Sequence, residues 1–426
     1  MRRGLVAVLH HARSFFSLDL YEAVGEAAEL LWVVDRDEGS CAELRLLRRL
    51  GTVVEISGRD LDHAARCLGA HRPEGIVAFV DDQVVLAAEL ATRLGLTYHS
   101  PDVARTVVHK GRQREALQDA GVPGPRFWRL AAGLTPRALS TRSRAVVFPC
   151  VLKPAEGSGS RGILRVDGPE DLVAAYRADS EWILEEYLAD DLNRDLRFAS
   201  YLSVESIIAH GRRRHIALTG RFALARPFRE TGNFIPAAVE PAVVPELLAL
   251  ADAAIDALRI MTGVLHTEIK LTPDGPRLIE VNGRLGGRPP FVLRRVSDVN
   301  LFQVACRVAL GDDISAGGLA QCEGVGYWRM LQPPCSAEQV DDVTGLEDLS
   351  AAPYVESVTL ARRPGEAVDW REGTGGQIAT VRGHVADLDE LARAITAIDR
   401  TVTVTYDGPD EPALGAPSMV APPTSA

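Results

Sequence analysis

Between residues 266 and 287 the chain reads HTEIKLTPDGPRLIEVNGRLGG, which gathers Glu268, Glu280, Asn282 and Arg284 around one short turn. Val264–Leu271 and Arg277–Val281 read as two strands joined at Pro273-Asp274-Gly275. Proline presets φ, aspartate tolerates the next position and glycine takes the left-handed one. A three-residue loop then sets Glu268 opposite Glu280 on one face, with Pro276 contributing no N–H to the closure. Like charges directly opposite destabilise a sheet, and a cation between them removes the conflict. Asn282, two residues beyond Glu280, faces the same side. Carboxylate and amide oxygens suit magnesium, whose other positions go to water and phosphate. The alternative is a solvated face on which Lys270 and Arg277 pair with these acids. The hairpin alone leaves both open.

A second stretch, KPAEGSGSRGILRV, starts with Lys153 and runs into Gly157, Gly159, Ser160 and Gly162. The glycines satisfy G-x-G-x-x-G, but a dinucleotide fingerprint must open a helix. Here Ile163–Val166 reads as a strand, so the loop joins two strands. The lysine precedes the glycines, which excludes a Walker A loop. What remains is either a plain hairpin or a flap whose N–H groups close over phosphates beside the Lys153 charge. EWILEEYLADD carries an apolar strand into Glu185, Glu186, Tyr187 and Leu188, whose backbone is suited to reading an adenine edge or simply to core. HKGRQREALQDAGVP places Lys110 and Arg114 four apart on one helical face, the usual spacing of a solvated basic face.

These residues need elements to hold them. Leu5–Leu9, Leu20–Leu30 and Leu31–Val34 read as strand, helix and strand, continued by a strand at Gly75–Val80 and a helix at Asp82–Leu94. That alternation predicts an N-terminal, Rossmann-like α/β domain with a parallel sheet over residues 1–100. His10 and His11 end its first strand and read as a loop, with no carboxylate nearby in sequence. A helical stretch over 101–126 stops at GVPGPRF. An α+β domain then runs to 312, with the flap subdomain at about 145–200, a helix at 243–259 before the hairpin and another at 298–310 after it. Residues 313–408 read as a small C-terminal α/β domain, and 409–426, rich in Pro, Ala, Gly and Ser, as a mobile tail.

The 426 residues, 46% apolar and 25% charged, describe a globular chain with a substantial core. Its 58 acidic against 47 basic residues give a formal charge of −11, which argues against nucleic acid and anionic membrane as partners. Six scattered cysteines offer neither a disulfide framework nor zinc-ligand spacing. The apolar run Leu5–Leu9 is too short for a signal peptide or a span, so the expected location is the cytoplasm.

Taken in order, HKGRQREAL…GVPGP, CVLKPAEGSGSRGI, ILEEYL, YLSVESI, ETGNFIP and HTEIKLTPDGPRLIEVNGRLGG resemble the ATP-grasp superfamily, specifically its carboxylate–amine ligases of the L-amino-acid ligase (dipeptide synthetase) type. The resemblance covers roughly 100 to 312, and the flanking segments look like that family's flanking domains. It implies ATP and two Mg2+ ions, with Mn2+ able to substitute, and small-molecule carboxylate and amine substrates. A homodimer is compatible with it. Lys110 and Lys153 would contact the phosphates under the flap Gly157, Gly159, Ser160 and Gly162. Glu186 and Leu188 would hold adenine through their backbones, with Glu185 and Tyr187 close by, and Glu268, Glu280 and Asn282 would hold the metal. Arg284 would stabilise an acyl phosphate, and Gly286 and Gly287 would let backbone approach the substrate. Substrate side chains are expected from Arg226, Arg229, Glu230, Asn233 and Arg288. His266 is either a base for the amine or a structural hydrogen-bond partner. Tyr201-Leu202 departs from the glutamate that many relatives use for the ribose, which leaves Asp190, Asp191 and Asp195 as candidates.

Overall fold

The computed structural model describes residues 3–11, 17–38, 43–192, 195–313 and 317–408. The tail 409–426 lies outside them. The chain opens on a four-stranded parallel sheet, ordered Thr52–Ile56, Glu29–Asp35, Leu5–His10 and Gly75–Ala78. These strands are near-continuous apolar runs because helices cover both faces of such a sheet, and Trp32 at its centre is fully buried. The helix expected over Leu20–Leu30 is Ser17–Val24 instead. It stops at Gly25, whose φ is +55°, and Leu30 already belongs to the next strand.

The helix Asp81–Leu94 follows the last of these strands, so Asp81 stands at the carboxyl end of a parallel sheet, where open α/β folds bind ligands. His10 and His11 end the first strand at that same edge. Each has a carboxylate 3.7 Å away, Glu43 for His10 and Asp82 for His11, supplied by distant parts of the chain rather than by a neighbour in sequence. The helical stretch after residue 100 is two helices, Pro101–Val108 and Lys110–Asp119, broken at His109, whose ring caps the second.

A four-stranded antiparallel sheet, Phe127–Leu130, Trp182–Glu186, Cys150–Pro154 and Leu164–Val166, forms the next unit. Behind it runs an eight-stranded sheet in which Gly275–Asn282, Gly263–Thr272, Tyr201–Ala209, Arg212–Arg221, Gly232–Ile235, Val325–Leu331, Ala379–Val385 and Ser357–Leu360 are neighbours in turn. Val325–Leu331, Ala379–Val385 and Ser357–Leu360 therefore extend the sheet that carries the hairpin, while Gln339–Thr344 and Thr403–Asp407 pair with each other in a separate two-stranded sheet. The helix Pro289–Val296 begins at a proline pair, a helix start that the sequence reading passed over. Five cysteines among the described residues are free, and no helix there is long and apolar enough to cross a membrane.

Candidate active site

The hairpin does bring its acids together. Glu268 pairs directly with Glu280, and His266 with Asn282. The turn is tighter than expected, since Thr272 pairs with Gly275 across a two-residue loop. A bulge at Ile279 inserts one residue and restores the register that sets the two carboxylates face to face. Lys270 does not neutralise them; it pairs with Asp190. Among the described residues no cluster of three His, Cys, Asp or Glu is poised to hold a metal. Two carboxylates and an amide leave most of a coordination sphere to phosphate and water, which is magnesium's habit.

One cleft of about 1050 Å³ takes in the hairpin face, the glycine loop, Lys110, Lys153 and the end of Trp182–Glu186. Lys110 and Arg114 are buried, not a solvated face. Lys110 Nζ lies 3.1 Å from Glu280 and donates to the Gly157 carbonyl at 2.6 Å. Burial disfavours its charge, but Glu280 and Asp81 outweigh that and raise its pKa. Glu185 sits between Lys153 and Arg114, 2.7 Å from each. Burial alone would raise its pKa, yet the two cations hold its carboxyl down at about 2. Its side chain is a partner for the cations rather than part of an adenine edge. Tyr187 and Leu188 line the cleft, and Arg165 stacks on the Tyr187 ring at 4.7 Å.

The glycine loop joins two antiparallel strands, with Cys150 opposite Val166, so it is a hairpin flap and not a helix start. Gly157, Gly159, Ser160 and Gly162 all have positive φ, a backbone conformation that glycine adopts without the cost a side chain brings. The tip is docked on the C-terminal segment. Thr374 N–H donates to the Gly159 carbonyl at 2.8 Å, and the Thr374 hydroxyl accepts from the Glu230 N–H at 3.3 Å. Gly373 approaches so closely that a Cβ there would lie 2.1 Å from that same carbonyl.

Arg284 also lines the cleft, paired with Asp81 at 2.6 Å and donating to Asn282 Oδ1 at 3.1 Å. Gly286 packs so tightly that an added Cβ would meet His266 Nδ1 at 2.7 Å, whereas Gly287 is open to the cleft. His266 is buried with Nδ1 2.9 Å from Glu205 and Nε2 3.4 Å from Glu268. Burial opposes its charge, but these carboxylates raise its pKa to about 9, which suits a structural cation and not a base. Burial likewise opposes ionisation of Glu268, and His266, Arg221 and Arg284 hold it down at about 2. Glu230 accepts from Tyr201 and Arg221, each at 3.0 Å. Of the other expected substrate contacts, Arg226, Asn233 and Arg288 line the cleft. Arg229 does not: it is fully buried, with Nε donating to the Arg226 carbonyl. Of the ribose candidates, Asp190 lines the cleft and Asp195 is held by Arg197.

The sequence reading missed Asp81, Glu205, Arg221, Trp328 and Thr374. Only Asp81 left a local signal, as the acid that follows a buried strand and opens a helix.

Residues 146–289 match the ATP-grasp domain model. Along 96% of this chain and all of the other, the fold superposes on the crystal structure of an L-amino acid ligase from Bacillus licheniformis, with a TM-score of 0.77 at 17% identity. Residues 146–289 thus form an ATP-grasp domain. The chain's relatives include carnosine synthase 1 of Gallus gallus, 29% identical over 59% of this chain and 29% of that one. Another is the alanine–anticapsin ligase of Bacillus subtilis, 24% identical over 47% of this chain and 46% of the relative. The chain thus spans less than half the length of these two curated relatives.

Proposed function

We propose that this protein is an ATP-dependent carboxylate–amine ligase that joins an amino acid or related carboxylate to an amine, releasing ADP and phosphate. One observation carries the reading: Glu268 and Glu280 face each other in the cleft that holds Lys110 and Lys153 beneath a glycine flap. That combination suits a polyphosphate and its counter-ion. The names of the relatives support the same chemistry.

In this reading the adenine edge is assigned to the Glu186 carbonyl and the Leu188 N–H, since the Glu186 N–H already donates to Arg126. Lys110 and Lys153 meet the phosphates. The N–H groups of the flap close over them. Glu268, Glu280 and Asn282 hold Mg2+, which when bound neutralises the triphosphate; two ions are proposed, with Mn2+ able to substitute. A substrate carboxylate oxygen attacks the γ-phosphorus, and the bond to ADP breaks. The amine nitrogen then attacks the acyl carbon, and the bond from that carbon to the phosphate oxygen breaks. Inorganic phosphate leaves, and the nitrogen gives up one proton as the amide forms. In this proposal the guanidinium of Arg284 leaves Asp81 and stabilises charge on the acyl phosphate. Closure of the flap excludes water that would hydrolyse that intermediate. No covalent enzyme nucleophile is required.

A matrix of amino-acid pairs with ATP, scored for phosphate release and for product mass, tests the reading. Phosphate release that depends on both partners, with an amide product, is the expected result. ATP turnover that no amine alters would overturn it.

A further inference from the structure

Gly275–Asn282, the strand that carries Glu280 and Asn282, is the last of its sheet, with Gly263–Thr272 on one side and, among the described residues, no strand on the other. Its outward backbone groups find their partners in a segment that is not a strand. The Leu278 N–H donates to the Pro123 carbonyl at 2.8 Å, and the Leu278 carbonyl accepts from Arg114 Nη1 at 3.1 Å. At Val281 one side chain serves both groups. Gln113 Oε1 accepts from the Val281 N–H at 2.8 Å, and Gln113 Nε2 donates to the Val281 carbonyl at 2.9 Å. At Gly283, His99 Nε2 lies 2.9 Å from the carbonyl. Residues 99–123 thus stand in for a neighbouring strand and satisfy an edge whose backbone groups are costly to bury unpaired.

His99 makes the contact nearest the chemistry. It is 4% exposed and does not line the cleft. A carbonyl oxygen only accepts, so Nε2 carries the ring hydrogen, while Nδ1 is buried with no partner among the described residues. The fit is close on two sides. A Cβ at Gly283 would stand 3.2 Å from Nε2, and one at Gly263 would stand 2.9 Å from Cε1 of the same ring. Gly283 lies between Asn282 and Arg284, so its carbonyl fixes the turn that carries both. Resting on the ligase reading, we propose that His99 is a positioning residue, which acts through Gly283 to present Asn282 to the metal and Arg284 to the acyl phosphate. Gln113 holds the same strand two residues earlier. A misplacement of about 1 Å at a reacting centre costs on the order of a hundredfold in rate, so one hydrogen bond to this turn is enough to matter.

The test compares two amides at position 99. The amide nitrogen of glutamine falls where His99 has Nε2, and that of asparagine falls where it has Nδ1, so His99→Gln keeps the bond to Gly283 and His99→Asn loses it. With the substrate pair that the matrix identifies, His99→Asn is expected to lower kcat for amide formation about thirtyfold, with KM for both substrates within a few-fold. His99→Gln should recover most of the rate. In an Arg284→Lys background His99→Asn should cost little more, because two residues that act through one contact are not additive. Mn2+ binding to the protein–ADP complex, followed by electron paramagnetic resonance, should weaken about tenfold in His99→Asn and much less in His99→Gln. Gln113→Glu, which keeps the acceptor for the Val281 N–H and loses the donor to its carbonyl, tests the same edge independently and should also lower kcat more than KM. Equal kcat and Mn2+ affinity in the two position-99 variants, or a loss that multiplies fully with Arg284→Lys, would overturn the assignment while leaving the ligase reading intact. The absence of amide from every pair with the wild-type protein would sink the ligase reading instead, and the Mn2+ comparison would still decide whether His99 positions Asn282.

Discussion

The two ends of the cleft differ in how their charges are satisfied. Around the facing carboxylates the charged side chains are paired within the protein: Lys110 with Glu280, Lys153 and Arg114 with Glu185, Arg284 with Asp81, and His266 with Glu205. At the other end the Asn233 amide and the Trp328 indole N–H have no hydrogen-bond partner among the described residues, and Arg288 and Arg382 meet the Trp328 ring only through its face. The paired end satisfies its charges within the protein, and in the proposed reaction a polyphosphate with its counter-ion enters by exchanging partners. On that proposal Glu280 releases Lys110 to a phosphate and turns to the metal. The unpaired end has nothing to exchange, so its specificity depends on what completes it.

The largest effect is expected where one residue serves both states. Glu280→Gln removes a proposed metal ligand and the partner of Lys110 together. It should reduce phosphate release to background while thermal melting still shows a folded protein. Full phosphate release by this variant would break the assignment of the paired end.

Arg284→Lys should follow, lowering amide formation by roughly two orders of magnitude, the scale of losing a donor to a developing oxyanion. ATP affinity by calorimetry should stay within a few-fold, because the contact strengthens as the reaction proceeds. Near-normal turnover would confine Arg284 to its ion pair with Asp81.

Gly373→Ala addresses the boundary between the ends, since Thr374 ties the flap tip to the Glu230 backbone. The new Cβ would press on the Gly159 carbonyl, and the residue's φ of +70° already disfavours a side chain. A flap that docks imperfectly admits water, so phosphate released per amide formed should rise above one. The rate should fall on the order of tenfold to a hundredfold. An unchanged ratio would separate the flap from the C-terminal segment.

The smallest effect concerns stability in acid. Glu185 has its pKa lowered from 4.5 to about 2, because Arg114 and Lys153 outweigh the burial that opposes its charge. The stabilisation it contributes is fully present above 4.5 and is lost as pH falls toward 2. Melting temperature of the unliganded protein should therefore drop between these values, and more steeply than in Glu185→Gln. Equal slopes would mean that the buried trio contributes nothing to the pH dependence.

How much of this was legible follows from distance along the chain. The facing carboxylates were, because a short turn and a period of two fix them locally, while the bulge at Ile279 that preserves their pairing leaves no sequence signature. The spacing of Lys110 and Arg114 was visible, but their burial was not, since the strand end and the hairpin that cover them come from other segments. Glycines marked the flap, whereas its docking onto Thr374 spans 214 positions. Asp81 reaches Arg284 across 203 positions. Partners brought together only by the tertiary fold had no local pattern to announce them.

The proposed passage through an acyl phosphate is tested most directly by oxygen-18. With both carboxylate oxygens of the acyl substrate labelled, attack on the γ-phosphorus carries one of them into the phosphate, and it stays there when the amine displaces it. The expected result is ADP together with inorganic phosphate bearing one labelled oxygen for each amide formed. Unlabelled phosphate, or AMP and pyrophosphate in place of ADP, would contradict it.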